Sequence, residues 1–376
     1  MTIDFHKLAV AGVQSLHPYL PGKPIEELER ELGVSNTLKL ASNENTLGPS
    51  PKAIEAMQAA ITLVALYPDG NGFVLKQKLA EQFHVDINGI LLGNGSNVVL
   101  DLVARTFLQE GCEAIFSEYA FAVYPISTQA VGATARIAKA LAPDHENAYG
   151  HDLEAMKALI NEKTRVIFIA NPNNPTGNFL KSDELHQFLT EVPKEVIVVV
   201  DEAYCEYVDK AEYPDAVSWL NEFPNLIVSR TFSKAYGLAG LRVGYAFCSD
   251  VIAGLLNRVR HPFNVNTISL LAATAALDDK VHLKQCVDTN TEGLAFWRSA
   301  CESRNLEYIP TVGNFITIDF KQNAMPIYDA LLHEAVIVRP IANYGLPNHL
   351  RISISTEEDN QKCLNALDKV MKALNC

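Results

Sequence analysis

Residues 195–204, EVIVVVDEAY, hold five consecutive valine and isoleucine residues that end at two carboxylates. A strand buried on both faces carries such an unbroken apolar run, whereas a half-exposed strand alternates polar and apolar residues. Similar runs lie on both sides of it along the chain: GILLG, EAIFS, RVIFIA, NLIVSR and RVGYAF. Helical patterns such as HDLEAMKALINE and SDELHQFLTEV separate them. This alternation predicts an α/β fold with a mostly parallel sheet.

The two ends of the chain differ from this centre. Residues 1–45 contain the proline-rich HPYLPGKPIEELERELG, an extended arm that leads into a helix. Residues 271–376 contain a long helical region and then NFITIDF, AVIVRP and LRISIS, interleaved with helices. We therefore predict a large domain over residues 46–270 and a smaller α+β domain formed by residues 1–45 and 271–376.

Composition disfavours several classes of function. The net charge of −13 over 376 residues argues against a nucleic-acid or anionic-membrane partner. No apolar run approaches the roughly 18–20 residues of a transmembrane helix, and the first ten residues lack a signal-peptide pattern. Seven scattered cysteines without a C-x-x-C pair, and histidines without metal-ligand spacing, predict a cytoplasmic protein with reduced thiols and no metal site.

Polar groups follow the predicted strands, where ligands of open α/β sheets bind. GNGSN, with Gly95, Ser96 and Asn97, opens a predicted helix and presents the free backbone N–H groups that bind a phosphate. A turn followed by an ordinary helix N-cap is the alternative interpretation of this stretch. Ser233 and Arg242 are suited to complete a phosphate site.

Asp201 and Lys234 add chemistry to that phosphate site. A carboxylate at the end of an apolar run must find a cation, either a structural arginine or a protonated ring nitrogen. Lys234, beside Phe232 and Tyr236, is predicted to be partly desolvated, and such an amine is a nucleophile that condenses with carbonyl groups. An exposed lysine after a strand is the alternative. Phosphate site, acidic partner and lysine together predict pyridoxal 5′-phosphate as the cofactor.

These motifs carry a family resemblance. SNENTLGPSP, YPDG, NPNNPTG, DEAY, RTFSKAYGLAGLRVGY and LRISIS occur in an order and spacing similar to those of the fold-type I, class I and II aminotransferases. LHPYLPGKPIEELERELG and VRPIANYGLPNHLRISIS resemble the histidinol-phosphate branch of that family. The resemblance covers about residues 15–365 and implies a seven-stranded, mostly parallel sheet between helices, beside a smaller α+β domain.

The resemblance also implies roles for single residues. Lys234 would bind the cofactor covalently and later carry a proton, while Asp201 would pair with the ring nitrogen. Asn174 and Tyr204 would hydrogen-bond the phenolic oxygen of the cofactor, and Tyr119 would stack on its ring. Ser233, Arg242 and the backbone N–H groups of residues 95–97 would bind its phosphate.

Further implied roles concern the substrates and a second copy of the chain. Tyr67 would reach the phosphate in the neighbouring subunit, so that a homodimer forms the active site. Arg351 would bind the carboxylate of glutamate or 2-oxoglutarate, and Arg339, Tyr19 and Asn43 would help to hold histidinol phosphate. A structural ion pair for Arg339, and ordinary surface packing for the two tyrosines, are the alternatives.

The predicted reaction is transamination between histidinol phosphate and 2-oxoglutarate. An aromatic amino acid aminotransferase and a phosphothreonine decarboxylase are the alternatives on the same scaffold; a ligand-sensing transcriptional regulator would need an added DNA-binding domain.

Three positions depart from the family pattern. Val98 stands where an acid is common, Thr46 where proline is usual and Ser355 where glycine is usual.

Overall fold

The computed structural model describes residues 3–19 and 21–374. The strands are β1 (Leu38–Lys39), β2 (Ile90–Gly93), β3 (Glu113–Ser117), β4 (Thr134–Ala138), β5 (Thr164–Ala170), β6 (Ile197–Asp201), β7 (Leu226–Thr231), β8 (Gly244–Phe247), β9 (Glu307–Ile309), β10 (Phe315–Asp319), β11 (Val336–Ile337), β12 (Arg339–Pro340) and β13 (His349–Ser353). The α-helices are α1 (Ala11–Gln14), α2 (Ile25–Leu32), α3 (Pro51–Ala60), α4 (Phe73–Phe83), α5 (Ser96–Phe107), α6 (Val123–Ala130), α7 (Leu153–Ala158), α8 (Ser182–Glu191), α9 (Asp250–Val259), α10 (Thr267–Leu277), α11 (Lys280–Ser303), α12 (Met325–His333) and α13 (Glu357–Leu374). Short 3₁₀ helices cover Phe5–Leu8, Ile61–Ala65, Ile87–Gly89, Cys205–Tyr207, Ala216–Trp219, Ala239–Leu241 and Ala342–Tyr344. Across residues 3–19 and 21–374, no helix has the length and apolar character needed to cross a membrane.

The central sheet has seven strands in the order β2-β8-β7-β6-β5-β3-β4. Neighbouring strands from β7 to β4 pair in parallel, and β8 is antiparallel to both β2 and β7. In β6, Val198 and Val200 belong to the apolar core on one face of the sheet. Ile197 and Val199 belong to the core on the other face. The predicted α/β fold with a mostly parallel sheet is therefore confirmed, because helices cover both faces.

Two smaller sheets use the ends of the chain. Strands β12, β13, β10 and β9 form an antiparallel sheet in that order, and β1 pairs in parallel with β11. An apolar core around Trp297 of α11 packs on these strands and includes Leu40, which directly follows β1. The N-terminal and C-terminal segments thus share one core, while the domain bounds at residues 46 and 270 stay a prediction.

The register of the central sheet brings three loops together. Ala170 of β5 pairs with Asp201 of β6, and Asp201 pairs with Ser229 of β7. Since these strands are parallel, the loops that follow them leave the same edge of the sheet. Residues 171–178, 202–204 and 232–237 therefore meet at one place, where the sequence predicts the site.

Candidate active site

A cavity of about 180 Å³ lies at this edge of the sheet. It contains most of the side chains that the sequence predicted for the site. The predicted residues that line it are Tyr19, Asn43, Ser96, Asn97, Asn174, Asp201, Tyr204, Ser233, Lys234, Arg242 and Arg351. Residues from both chain ends and from the central sheet therefore converge on one small cavity.

Lys234 is largely buried and projects its amine between two backbone carbonyls. Lys234 Nζ donates to Ser42 O at 3.0 Å and to Asn43 O at 3.3 Å. Burial, with the nearby Arg351 guanidinium as the second cause, lowers the pKa of Lys234 to about 7. A neutral amine has two protons to donate and one lone pair, so two carbonyl acceptors leave the lone pair available as a nucleophile.

The side chain of Asp201 is buried, and its carboxylate has one hydrogen-bond partner among the described residues. Tyr124 donates its hydroxyl to Asp201 Oδ2 at 2.9 Å, whereas Asp201 Oδ1 is buried without a partner. Burial raises the pKa of Asp201 to about 7, and the Tyr124 hydrogen bond opposes this shift. A cationic N–H placed at Oδ1 would satisfy this oxygen and favour the carboxylate form.

The opposite end of the cavity has the features of a phosphate site. Helix α5 begins at Ser96, and the first N–H groups of a helix have no partner within the helix. Gly95 has φ +80°, and a Cβ added to it would lie 2.3 Å from Arg242 Nη2. Arg242 Nη1 donates to Ser233 Oγ at 3.3 Å. Backbone N–H groups, a hydroxyl and a guanidinium thus meet at a helix N-terminus.

Asn174 and Tyr204 are each held by one neighbour that also belongs to the site. Arg351 Nη1 donates to Asn174 Oδ1, which fixes the amide so that Nδ2 faces away from the guanidinium. Asn43 Nδ2 donates to the Tyr204 hydroxyl oxygen at 3.0 Å. Burial raises the pKa of Tyr204 to about 12, so its hydroxyl keeps its proton as a donor at neutral pH.

Two arginines lie side by side on the small antiparallel sheet: Arg351 lines the cavity, and Arg339 lies beside it but is not a lining residue. Arg339 of β12 and Arg351 of β13 are cross-strand partners, and both are buried. Arg351 Nη2 donates to Ala41 O at 2.8 Å, and the Arg339 guanidinium carbon lies 5.6 Å from the centre of the Tyr19 ring. Neighbouring guanidinium groups with a half-exposed aromatic ring are suited to bind a dianion.

The match to a family decides what this arrangement is. The model of aminotransferase class I and II matches residues 35–367, which include all the strands of the three sheets. The chain belongs to the class I and II aminotransferases.

Known aminotransferases with a narrower name are similar over nearly the whole chain. Histidinol-phosphate aminotransferase 2 of Pseudomonas aeruginosa is 56% identical over 370 residues, which cover 98% of this chain and 99% of the relative. The crystal structure of histidinol-phosphate aminotransferase from Sinorhizobium meliloti in complex with pyridoxal-5′-phosphate has a TM-score of 0.88 at 28% identity, covering 97% and 98% of the two chains. L-threonine-O-3-phosphate decarboxylase from Porphyromonas gingivalis has a TM-score of 0.76 at 21% identity, covering 89% and 99% of the chains, and shares the fold alone.

Two predicted residues of this aminotransferase lie away from the cavity within the chain. Tyr119 is not among the lining residues; its ring packs edge-on against Tyr149 at 5.6 Å, and Phe121 lines the cavity instead. The loop after β3 turns between the two positions, so the aromatic residue nearer to the strand faces the small sheet. Tyr67 is 83% exposed and its ring stacks on Phe263 at 4.8 Å.

Sequence reasoning missed Phe121 and Tyr124. Both follow the predicted Tyr119 in the stretch YAFAVY, which offers three aromatic residues for the single role of stacking on the cofactor ring. Their rings contact each other edge-on at 5.9 Å, and Tyr124 stacks on Phe168 of β5 at 4.9 Å. The signal available in the sequence was the spacing of these aromatic residues: Phe121 follows Tyr119 by two positions, and Tyr124 follows Phe121 by three, on the loop that enters α6.

The larger cavity of the described protein lies elsewhere. About 670 Å³ in volume, it is lined by residues such as His151, Asn178, Lys181 and Arg298 and by none of the predicted site residues. Size therefore does not identify the active site here, whereas the convergence of a lysine, a buried carboxylate and a helix N-terminus does.

Proposed function

We propose that this aminotransferase transfers the amino group of L-histidinol phosphate to 2-oxoglutarate, giving imidazole-acetol phosphate and L-glutamate. The observation that carries the proposal is the near-full-length likeness to the histidinol-phosphate aminotransferase of Pseudomonas aeruginosa. The geometry agrees, because Arg339 and Arg351 offer two guanidinium groups to one substrate anion. Glutamate brings a carboxylate to them and histidinol phosphate brings a phosphate, so one site serves both partners.

The cofactor of the reaction is pyridoxal 5′-phosphate, and the residues of the cavity fit it. Asp201 Oδ1 is a buried acceptor without a partner, suited to a protonated pyridine nitrogen. The N-terminus of α5, with Ser233 and Arg242, suits the phosphate. When bound, the cofactor supplies the electron sink that stabilises negative charge at the substrate Cα and carries the amino group between substrates.

The protein residues supply orientation and proton transfer. Lys234 is the covalent anchor and, once released, the base that removes the Cα proton, because its pKa near 7 matches neutral pH. Tyr204 and the Nδ2 group of Asn174 line the same cavity and would donate to the phenolic oxygen of the ring. Phe121 forms one wall of the cavity and takes the stacking role predicted for Tyr119.

The substrate assignment is tested by single-turnover absorbance of the holoenzyme. We expect histidinol phosphate to change the absorbance of the bound cofactor rapidly and phenylalanine slowly. The rings of Tyr19, Phe121 and Tyr344 at the cavity favour phenylalanine as the second candidate, and faster reaction with it would overturn the assignment. Phosphothreonine is the third substrate to add, because carbon dioxide release without 2-oxoglutarate would indicate a decarboxylase.

Lys234→Ala is expected to lose multiple turnovers completely, and retained turnover would refute the role of Lys234.

We also propose that the protein works as a cytoplasmic homodimer in which Tyr67 completes the phosphate site of the partner subunit. Its exposed ring does not reach the cavity of its own chain. Exposed apolar residues surround it along the chain: Ile61, Val64, Leu66, Phe73 and Val74. Several exposed apolar residues so close together along the chain favour a protein–protein interface.

A further inference from the structure

The segment 42–48, SNENTLG, lies directly against the loop that carries Lys234. Both hydrogen bonds of Lys234 Nζ go to its carbonyls, at Ser42 and Asn43. Asn45 Nδ2 donates to Ala235 O at 2.8 Å, one residue beyond the lysine. The segment therefore fixes where the amine stands.

The other side of segment 42–48 is tied to the end of β13 and the start of α13. Thr46 Oγ1 and Ser355 Oγ lie 2.7 Å apart, and Ser355 Oγ donates to Asp359 Oδ2 at 2.6 Å. A hydroxyl has one proton, and Ser355 gives its proton to the carboxylate. Thr46 must then be the donor to Ser355, so the hydrogen bonds run in one direction from Thr46 to Asp359.

Asp359 is itself held by the residue just before α13, a helix that begins at Glu357. Its backbone N–H donates to Thr356 Oγ1 at 3.3 Å in the first turn of α13. The chain of hydroxyls thus connects segment 42–48 to a helix that packs in the core of the small sheet. Thr46 and Ser355 are two of the three positions at which this sequence departs from the family pattern, and neither proline nor glycine could form such a bond.

We infer that Thr46, Ser355 and Asp359 are positioning residues that set the place of the Lys234 amine by holding segment 42–48. The inference rests on the cofactor role of Lys234 proposed above. Two carbonyl acceptors favour the charged form of an amine, so a segment that moves away from Lys234 leaves the neutral form favoured. Loss of the hydroxyls is therefore expected to change the protonation and the reach of Lys234 while leaving the substrate contacts of Arg351 intact.

The experiment follows capture of pyridoxal 5′-phosphate by the cofactor-free protein, as visible absorbance, from pH 6 to pH 9. The variants are Thr46→Val, which keeps the shape, and Ser355→Ala. We expect the midpoint of the capture rate to move to lower pH. The maximal rate of the single-turnover half-reaction of the holoenzyme with glutamate should fall about fivefold, the factor of one neutral hydrogen bond, at an unchanged half-saturating concentration. The double variant should be no worse than either single variant, and Ser355→Thr should restore the parental values.

Thr291→Val is the matched control, since it removes a hydroxyl that donates within its own helix α11, to Val287 O at 3.0 Å. An unchanged pH midpoint and an unchanged half-reaction rate with glutamate in Thr46→Val and Ser355→Ala would overturn the inference, whether or not these variants unfold more easily. An equal effect of Thr291→Val would overturn it as well. If either main variant fails to fold, Thr46→Ala, which removes the hydroxyl, is compared with Thr46→Ser, which keeps it. Cofactor capture does not involve histidinol phosphate, so failure of that substrate would leave this result standing.

Discussion

Lys234 lowers the free energy of unfolding of the cofactor-free protein, by an amount that depends on pH. Its pKa is about 7 in the folded state and about 10.5 in the unfolded chain. Between these values the unfolded chain binds the extra proton, so this group adds stability as pH rises from 7 to 10.5 and removes it as pH falls. We expect cofactor-free Lys234→Met to be more stable than the parent by on the order of 3 kcal/mol at pH 7, with a gain that shrinks toward pH 10.

Urea unfolding at pH 7 and at pH 10 measures this difference. Lys284→Met is the control, because Lys284 is an exposed lysine on α11 with an ion pair to Asp288. The control should change the free energy of unfolding little at either pH. An equal gain in stability for Lys234→Met at both values of pH would contradict the prediction that burial of the charged amine destabilises the protein.

Tyr124 has the one hydroxyl that reaches Asp201 in the described chain. Tyr124→Phe keeps the ring against Phe168 but removes a hydrogen bond to a carboxylate, worth about 1.5–3 kcal/mol. We expect the cofactor to dissociate at least about tenfold more readily, measured by equilibrium dialysis. Tyr245→Phe is the matched control, since the Tyr245 hydroxyl is buried without a partner and its removal should leave the affinity unchanged. Equal affinities in the two variants would refute the role of Tyr124.

Single residues also mark the limit of prediction from sequence. Asp201 and Lys234 were predictable because each carries an unusual charge at or just after the end of a buried strand, and Arg242 because it lies in the same motif as Lys234. Phe121 was not, because Tyr119 and Phe121 are both aromatic and the turn of the loop decides which one faces the cavity. Tyr124 was hidden as well, since its partner Asp201 is 77 residues away along the chain.

At the scale of elements, the N-terminus of α5 explains why residue 95 must be glycine. A side chain there meets two penalties, a positive φ and a collision with Arg242. Gly111 has a similar φ of +85°, yet a Cβ added there meets nothing within 4 Å. We expect Gly95→Ala and Gly111→Ala to lose similar stability, about 1 kcal/mol for the backbone. Only Gly95→Ala should weaken cofactor binding, by about tenfold or more, as expected for a displaced charge-assisted contact.

Isothermal titration of the cofactor-free variants separates these two effects. Parental affinity in Gly95→Ala would mean that the phosphate binds elsewhere. A matching loss of affinity in Gly111→Ala would mean that general strain, not Arg242, is the cause.

Elements differed in how clearly the sequence marked them. The unbroken apolar runs of β5, β6 and β7 predicted these strands directly. Every residue in β6 and β7 is buried, which explains why polar residues do not alternate there. Strand β4, TARIA, was not predicted from its letters, because it lies at the edge of the sheet and only Ala138 is buried. An edge strand needs no apolar run, so only the whole-chain resemblance indicated a seventh strand.

At the scale of the whole molecule, the exposed apolar surface around Tyr67 predicts a second copy of the chain. Leu66 is 69% exposed, so Leu66→Asp costs little in a monomer but buries a charge in a dimer. We expect this variant to sediment as a monomer and to bind the cofactor more weakly. Val251→Asp, at a residue 68% exposed on α9, is the control and should remain a dimer. A parent that sediments as a monomer would contradict the proposal.

Mixing two defective variants tests whether Tyr67 acts across the interface. A heterodimer of Lys234→Ala and Tyr67→Phe has one site with both defects and one with neither, provided that each Tyr67 serves the partner's site. If each Tyr67 serves its own chain, both sites of the heterodimer carry one defect. Refolding the two variants together should therefore recover about a quarter of the parental activity, because random pairing makes about half of the dimers mixed, each with one intact site. Activity no higher than the sum of the separate variants would place Tyr67 in its own chain, and the exposed ring would then need a movement toward the cavity to act at all.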